Sequence, residues 1–185
     1  MKLPVTGMAW STPLGDELEG VWGRLMAGET GILPVSPPVR LRNSLARAVT
    51  SMPSDLPPAE RMQRLGLPPL QKALAAAQID PANPELRLIV GTSLGAYLET
   101  SSDRRSLSEW GRKLGVSAGI MTEPVVVSTA CSSGSDALLV GAELIRTGLA
   151  RYCVCGGVDI LTLSKRLAHS SMGTMSPTTL RAFDV

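Results

Sequence analysis

The chain has 185 residues, of which 44% are hydrophobic and 18% are charged. This length and composition are typical of one folded globular domain, and they exclude a mainly disordered chain. The formal net charge is only +2, and two Tyr and one Phe leave few rings besides tryptophan for base stacking, so nothing favours nucleic-acid binding.

The cysteines and the N-terminus both bear on where the protein works. Cys153 and Cys155 are two residues apart, which puts them on one face of a strand with no room for a disulfide between them. An odd count of three cysteines then fits a reducing cytoplasm. The opening "MKLPVTGMAW" has no export signal, and no apolar window is long enough for a membrane span.

The first predicted elements are a strand in "KLPVTGMAW", residues 2–10, and a helix that ends before Gly28. Six prolines between residues 32 and 58 predict a long surface excursion, in which the arginines are solvated. Helical spacing of apolar residues supports the helix, at Leu18, Val21, Trp22 and Leu25.

Helices and strands alternate through the rest of the chain. Pro68 and Pro69 are predicted to begin a helix that ends near Asp80, and "ELRLIVGTS" is a strand with the apolar centre of one buried on both faces. A helical segment over 107–114, a strand over 124–128, a helix after Cys131 and a strand over 151–159 follow. This alternation predicts an α/β domain with a mostly parallel sheet flanked by helices.

The turn "GTSLG", residues 91–95, leaves the second predicted strand. Glycine-rich turns after strands can hold phosphate groups, but this one lacks Gly-x-Gly-x-x-Gly and the Gly-Lys-Ser/Thr ending. Tight backbone packing is therefore the better interpretation, and a nucleotide site is not predicted.

Cys131 lies in "VVVSTACSSGSDALLVGAELIRTG", residues 125–148, between a β-branched strand and a helix. Ligands of α/β folds bind at such junctions, where the positive end of a helix stabilises a thiolate. Ser132, Ser133 and Gly134 leave the approach uncluttered. Position alone leaves two interpretations open, a nucleophile or a small buried apolar residue.

The segments "VSTACSSG" and "GGVDILT" resemble the active-site region of the β-ketoacyl synthases, the condensing enzymes of the thiolase-like superfamily. Four further blocks resemble the same family in the same order: "VTGMAWSTPLGDELEGVWGRLMAGETGI", "ERMQRLGLPPLQKALAAAQI", "LIVGTSLG" and "SSMGTMSPTTLRAFD". The resemblance covers residues 1–185 and implies a thiolase-like fold, of which this chain carries the N-terminal half.

The resemblance implies a role for Cys131 in acyl transfer. Its thiolate would take an acyl group from a thioester of acyl carrier protein or coenzyme A, and a decarboxylated malonyl unit would then attack the acyl-cysteine. The backbone N–H of Cys131 would donate to the oxyanion. No metal or redox cofactor is implied, and Cys153 and Cys155 stay packing residues of a buried strand.

The chain also departs from the family pattern. The family's two catalytic histidines and the second oxyanion donor belong to its C-terminal half, whereas His169 is the only histidine here. His169 stands where the family commonly has a phenylalanine near the acyl pocket, so it is predicted to be a substrate-pocket wall. The segment between Leu94 and Pro124 is shorter than usual, which leaves the acyl chain length open.

The chain ends at Val185, and the family's fifth strand follows the motif resembled by "RAFD". The fifth strand and the C-terminal half are thus expected to be absent, which would leave "YCVC" at a bare sheet edge. Either the chain is a fragment, or another polypeptide completes it as a dimer or hetero-oligomer. A non-catalytic partner or remnant that serves assembly or carrier-protein binding is the alternative, against which the intact "TACSSG" turn argues.

Overall fold

A computed structural model describes residues 2–36, 38–47, 49, 52–53, 55–93 and 107–178. None of the helices in these ranges combines the length and the hydropathy that a membrane span requires. The elements in chain order are α1 (Leu18–Met26), β1 (Leu33–Pro34), β2 (Leu45–Ala46), α2 (Pro58–Ala76), β3 (Leu86–Gly91), α3 (Leu107–Ser117), β4 (Val125–Val127), α4 (Ser133–Arg146), β5 (Tyr152–Gly157) and α5 (Leu163–Ser171).

A three-stranded parallel sheet with β3 at its centre organises the fold, and β4 and β5 pair with β3 on either side. Gly91 is in register with Val127 and with Gly157, so the carboxyl ends of all three strands meet at one edge. Helices α2 and α3 pack on one face of the sheet and α4 on the other. The α/β prediction, with its second, third and fourth strands as β3, β4 and β5, is confirmed.

The main core lies between the sheet and helices α2 and α3. Alternate residues of β3 point into it because successive side chains of a strand face opposite sides. Each buried aliphatic side chain contributes about 1.5–3 kcal/mol. The buried members are Met62, Leu70, Leu74, Leu86, Leu88, Val90, Trp110, Leu114, Ala118, Ile120 and Ile160.

The predicted first strand is wrong for this structure, since residues 2–10 form no strand. Apolar β-branched residues favour an extended segment, but a strand also needs a neighbour with which to exchange hydrogen bonds. The segment instead packs on α2 through Gly7, where an added Cβ would lie 2.3 Å from the carbonyl oxygen of Ala73.

The predicted start of the second helix is also wrong, because α2 begins at Pro58 rather than at Pro68. Pro58 occupies the first helical position, where its missing N–H costs nothing. Pro68 and Pro69 lie inside the helix and remove two of its hydrogen bonds. Buried side chains on both sides of the pair, Met62 and Leu70 among them, hold the helix on the sheet.

The other predicted segments are α1 and the proline-rich excursion, and the structure adds one helix, α5. Helix α1 is confirmed, with Gly28 after it at a φ of 74°. The proline-rich excursion contains no helix before α2 in its described part, but β1 and β2 form a short antiparallel pair in it. Helix α5 was not predicted, although its N-cap, Thr162, accepts a hydrogen bond from the Lys165 N–H at 3.2 Å.

Candidate active site

Cys131 lies at the carboxyl edge of the sheet, as the sequence predicted. Strand β4 ends at Val127, a 3-10 turn covers Ala130–Ser132, and α4 begins at Ser133. The Cys131 side chain is exposed to solvent. A thiol on this turn therefore stands beside the N-terminus of a 14-residue helix and is open to a substrate.

The residue before the thiol has a strained backbone. Ala130 has a φ of 57°, a left-handed conformation that costs a residue with a side chain about 1–2 kcal/mol. Strain of this kind clusters at functional sites, where the surrounding structure holds it in place. At this turn it supports a role for Cys131 beyond packing.

The buried Ser133 hydroxyl holds the turn from inside. Its Oγ accepts a hydrogen bond from the Thr129 N–H at 2.9 Å. It also lies 2.7 Å from the carbonyl oxygen of Ala130 and 3.1 Å from that of Thr92, to either of which it donates. One side chain thereby connects the two ends of the Cys131 turn with the end of β3.

Asp136, one turn into α4, closes the outer side of the same turn. Its carboxylate accepts hydrogen bonds from the hydroxyls of Thr129 and Ser132, the latter at 2.8 Å. Both bonds lower the pKa of the Asp136 carboxyl, and the bond from Thr129 has the larger effect. The partial desolvation of the carboxylate acts in the opposite direction but is outweighed. Asp136 was not among the predicted site residues, although an acidic residue in the first turn of a helix is favoured by the helix dipole and could have indicated it.

Two glycines bring α4 close to the sheet below the turn. A Cβ on Gly91 would lie 2.3 Å from the Ser133 carbonyl oxygen, and Gly134 lies beside Gly157. The tight-packing interpretation of Gly91 is thus confirmed. Leu94 and Gly95, the rest of the "GTSLG" turn, lie outside the described residues, as does the "RAFD" motif.

Cys153 and Cys155 occupy one face of β5, as predicted, and are half-buried against α4. An added Cβ on Gly141 of α4 would lie 2.3 Å from the Cys155 Sγ. Their mutual hydrogen bond lowers the pKa of Cys153 and, together with burial, raises that of Cys155. In the described part of the chain, no three His, Cys, Asp or Glu side chains are grouped as a metal would require.

The family follows from a match that spans the whole chain. Residues 2–185 match the model of the β-ketoacyl synthase N-terminal domain. This chain belongs to that family. The match includes the turn of Cys131, so the exposed thiol, the strained Ala130 and the helix N-terminus are features of a ketosynthase N-terminal domain.

Three similar proteins show how much of a ketosynthase is present. The tetracenomycin polyketide synthase ketoacyl synthase alpha subunit of Streptomyces glaucescens is 27% identical over an alignment of 219 positions, which covers 99% of this chain and 48% of that protein. The ishigamide ketosynthase/chain length factor superposes with a TM-score of 0.78 at 19% identity, over 97% of this chain and 53% of that one. A third structure is of a type II polyketide synthase acyl-carrier protein in complex with its ketosynthase, bound to the hexaketide. It superposes with a TM-score of 0.77 at 18% identity, over 96% of this chain and 50% of that one.

The two superpositions confirm the predicted thiolase-like fold. This ketosynthase domain spans about half the length of the curated relatives it matches. The three-layered arrangement of α2 and α3, sheet and α4 corresponds to about half of each of those solved chains. The roles of Cys131 and His169 stay predictions.

His169 lies in the last turn of α5 and is partly buried. Its Nδ1 is 2.9 Å from the Thr174 hydroxyl, which also donates to the His169 carbonyl oxygen at 3.2 Å. His169 lines neither the cavity of about 250 Å³ beside β5 nor a second one of about 210 Å³ between Ser11 and Leu161. The contact with Thr174, which fixes the ring at the end of its helix, was not predicted, and no sequence pattern indicates it.

We expect His169→Phe to keep acyl loading on Cys131, because an aromatic ring of similar shape preserves a wall. The loading rate should stay within about twofold while the preferred acyl chain length changes. Intact-mass measurements with a series of acyl thioesters check this. A well-folded variant that loads no acyl group would instead place His169 in the catalytic set.

The three thiols should differ in reactivity. We expect iodoacetamide to modify Cys131 well before Cys153 and Cys155 near neutral pH, because only Cys131 is exposed at a helix end. Peptide mapping over time measures the three rates in the folded protein. Equal rates would contradict an activated Cys131, and unfolding in denaturant is the control that equalises them.

Proposed function

We propose that the chain is the nucleophile-bearing half of a β-ketoacyl synthase and that Cys131 accepts an acyl group. The observation that carries the proposal is the exposed Cys131 thiol on a strained turn, within a family whose members are condensing enzymes. The acyl donor is a thioester of acyl carrier protein or coenzyme A, from fatty acid or polyketide biosynthesis.

The reaction needs two acyl transfers at one sulfur. The Cys131 thiolate attacks the thioester carbonyl, a new C–S bond forms, and the carrier leaves as its thiol. A malonyl thioester then loses CO₂, its α-carbon attacks the acyl-cysteine, and the C–S bond breaks as the C–C bond forms. The Cys131 N–H donates to the oxyanion of each step, and the product is a β-ketoacyl thioester.

Decarboxylation by the family's mechanism requires a histidine pair that residues 1–185 do not include. The chain's only histidine is His169, which is bonded to Thr174 on α5. The family's histidine pair belongs to the C-terminal half, and the chain spans about half of its relatives. We therefore propose that a second polypeptide, a ketosynthase C-terminal half or paired subunit, contributes the pair in trans.

The edge of β5 supports such a partner. One edge of β5 pairs with β3, and no described strand pairs with the other. A cavity of about 250 Å³ lies beside β5 on the side of the sheet that faces α2, lined by Ala9, Trp10 and Ser11, by residues 154–159 and by apolar side chains of α2, β3 and α3. The indole N–H of Trp10 is buried without a hydrogen-bond partner among the described residues. An added strand would pair with the free edge of β5.

Helix α4 supports a partner from a second direction. The face that carries Ala137 and Gly141 is buried on the sheet, whereas Leu138 and Leu139 are 58% and 64% exposed. Adjacent exposed leucines on the helix of the nucleophile are a surface that a second subunit would cover. A dimer or hetero-oligomer follows from this and from the open edge of β5.

We also propose that the chain works in the cytoplasm. All three cysteines are free thiols in the structure, and a reducing compartment keeps them so. An acyl acceptor needs this state, because oxidation to a disulfide would consume the nucleophile.

Co-production with a ketosynthase C-terminal half tests the proposal. We expect a stable complex that converts acyl and malonyl thioesters into a β-ketoacyl product, detected by mass, while the chain alone forms no product and aggregates through its open surfaces. A soluble monomer that condenses alone would contradict the need for a partner. A stable complex without acyl transfer would favour the alternative of a non-catalytic assembly or carrier-binding partner.

A further inference from the structure

Four polar side chains from three parts of the chain meet at the carboxyl edge of the sheet. The Asp159 carboxylate, after β5, accepts hydrogen bonds from the Ser93 N–H at 3.2 Å and from the Ser93 hydroxyl at 2.9 Å. It also accepts one from the Thr92 hydroxyl at 3.3 Å. Lys165 of α5 is 3.0 Å from the Asp159 carboxylate and donates to the Ser93 Oγ.

This cluster differs from an ordinary surface ion pair. The Lys165 side chain is only 20% exposed and that of Asp159 is 38% exposed. Partly desolvated charges interact more strongly than exposed ones, and they are tolerated when each is hydrogen-bonded. The ammonium of Lys165 meets both a carboxylate and a hydroxyl, so the three groups satisfy one another and fix the residues just beyond β3.

The Lys165–Ser93 contact does not form a nucleophile with its base. The Ser93 hydroxyl donates its hydrogen to Asp159 and receives one from Lys165. An ammonium paired with a carboxylate has no lone pair with which to take a proton. The chemistry of the cluster is therefore to hold the chain in place.

The Thr92–Ser93 segment, which the cluster holds, is connected to the Cys131 turn by a short path of hydrogen bonds. Thr92, fixed by Asp159, offers its carbonyl oxygen to the Ser133 hydroxyl at 3.1 Å, as one of the two carbonyl oxygens to which that hydroxyl donates, and its N–H donates to the Val127 carbonyl oxygen at 3.0 Å. Ser133 in turn fixes the Thr129 N–H at 2.9 Å. The path from Lys165 thus crosses from α5 through the ends of β5 and β3 to the turn that carries the thiol.

We propose that Asp159 and Lys165 are positioning residues for Cys131, acting through Thr92, Ser93 and Ser133. They do not touch the reacting atoms. This inference rests on the proposed function, because it takes Cys131 to be the acyl acceptor. Without the ammonium, the Asp159 carboxylate loses its counter-charge and the Ser93 hydroxyl loses one of its two hydrogen-bond partners, so the Thr92–Ser93 segment is held less firmly.

Lys165→Met removes the charge and keeps the length of the side chain, and Lys165→Arg keeps the charge. In the complex with a C-terminal half, we expect Lys165→Met to slow acyl loading at saturating thioester by about 10- to 100-fold, since displacements near 1 Å have such effects. The KM for the thioester and the melting temperature should change little. Lys165→Arg should restore most of the rate, and Lys113→Met, at an exposed site on α3, should match the wild type.

Iodoacetamide alkylation of Cys131 in the same variants separates this inference from the proposed function. Slower alkylation and slower loading in Lys165→Met, with recovery in Lys165→Arg, support positioning. Wild-type rates of alkylation and loading in Lys165→Met would overturn the positioning role. It would also be overturned if Lys165→Met lost melting temperature in proportion to its lost rate and Lys165→Arg recovered neither. A wild-type protein that is not acylated, but whose alkylation depends on Lys165, would overturn the proposed function and support the positioning of the turn.

Discussion

Cys131→Ala is expected to reduce condensation by the complex to background, a loss of at least about 1,000-fold, because no other group can form the acyl intermediate. The rate of β-ketoacyl product formation, followed by mass, measures the effect. Alanine removes only the sulfur from an exposed position, so the melting temperature of the complex should stay near that of the wild type.

Cys153→Ala is the matched control for that variant. Cys153 lies on β5 with its side chain half-buried, and the proposal gives it no chemistry. Its loss should leave most of the condensation rate intact. The assignment of the nucleophile would fail if Cys153→Ala abolished condensation while Cys131→Ala retained it.

Gly91→Ala is expected to destabilise the fold by about 3 kcal/mol, at the upper end for a single overpacked methyl group. The added Cβ would lie 2.3 Å from the carbonyl oxygen of Ser133 and 2.9 Å from the backbone nitrogen of Gly134. Both are main-chain atoms at the start of α4, so the helix itself must move. Because Ser133 holds the Cys131 turn, acyl loading should fall together with stability.

Gly23→Ala controls for the general effect of replacing glycine. Gly23 lies in α1, and an added Cβ there meets no atom within 4 Å, so this variant should be as stable as the wild type or slightly more so. Thermal unfolding of the complexes compares the two. If the Gly91→Ala and Gly23→Ala complexes had the same melting temperature and Gly91→Ala loaded acyl groups at the wild-type rate, close packing at Gly91 would not position the turn.

Local patterns were enough to predict the parallel sheet and the place of Cys131. The apolar run of β3 is typical of a strand buried on both faces, and the valines of β4 followed by small residues indicated the junction where the turn stands. Such patterns depend on residues close together in the chain. That is why the position of Cys131 was predicted, while the strain at Ala130, which depends on the bonds around it, was not.

The features that could not be predicted depend on residues far apart in the chain. Ser93, Asp159 and Lys165 come together only because β3 and β5 pair in register, and no spacing rule relates residues 66 or 72 positions apart. The mistaken first strand has the same origin, since the sequence of residues 2–10 favours an extended segment but does not supply its partner. Helix α2 begins early because burial of residues such as Met62 outweighs two internal prolines.

Mapping the acyl group after a single loading step tests the central claim most directly. The complex is incubated with one acyl thioester and no malonyl donor, and intact mass and peptide mapping locate the adduct. We predict one acyl group per chain, on the peptide that contains Cys131 and absent from Cys131→Ala. Hydroxylamine should remove it as the hydroxamate and restore the free thiol, as expected for a thioester. An acyl group on any other residue, or no adduct on a complex that still forms β-ketoacyl product, would contradict the account.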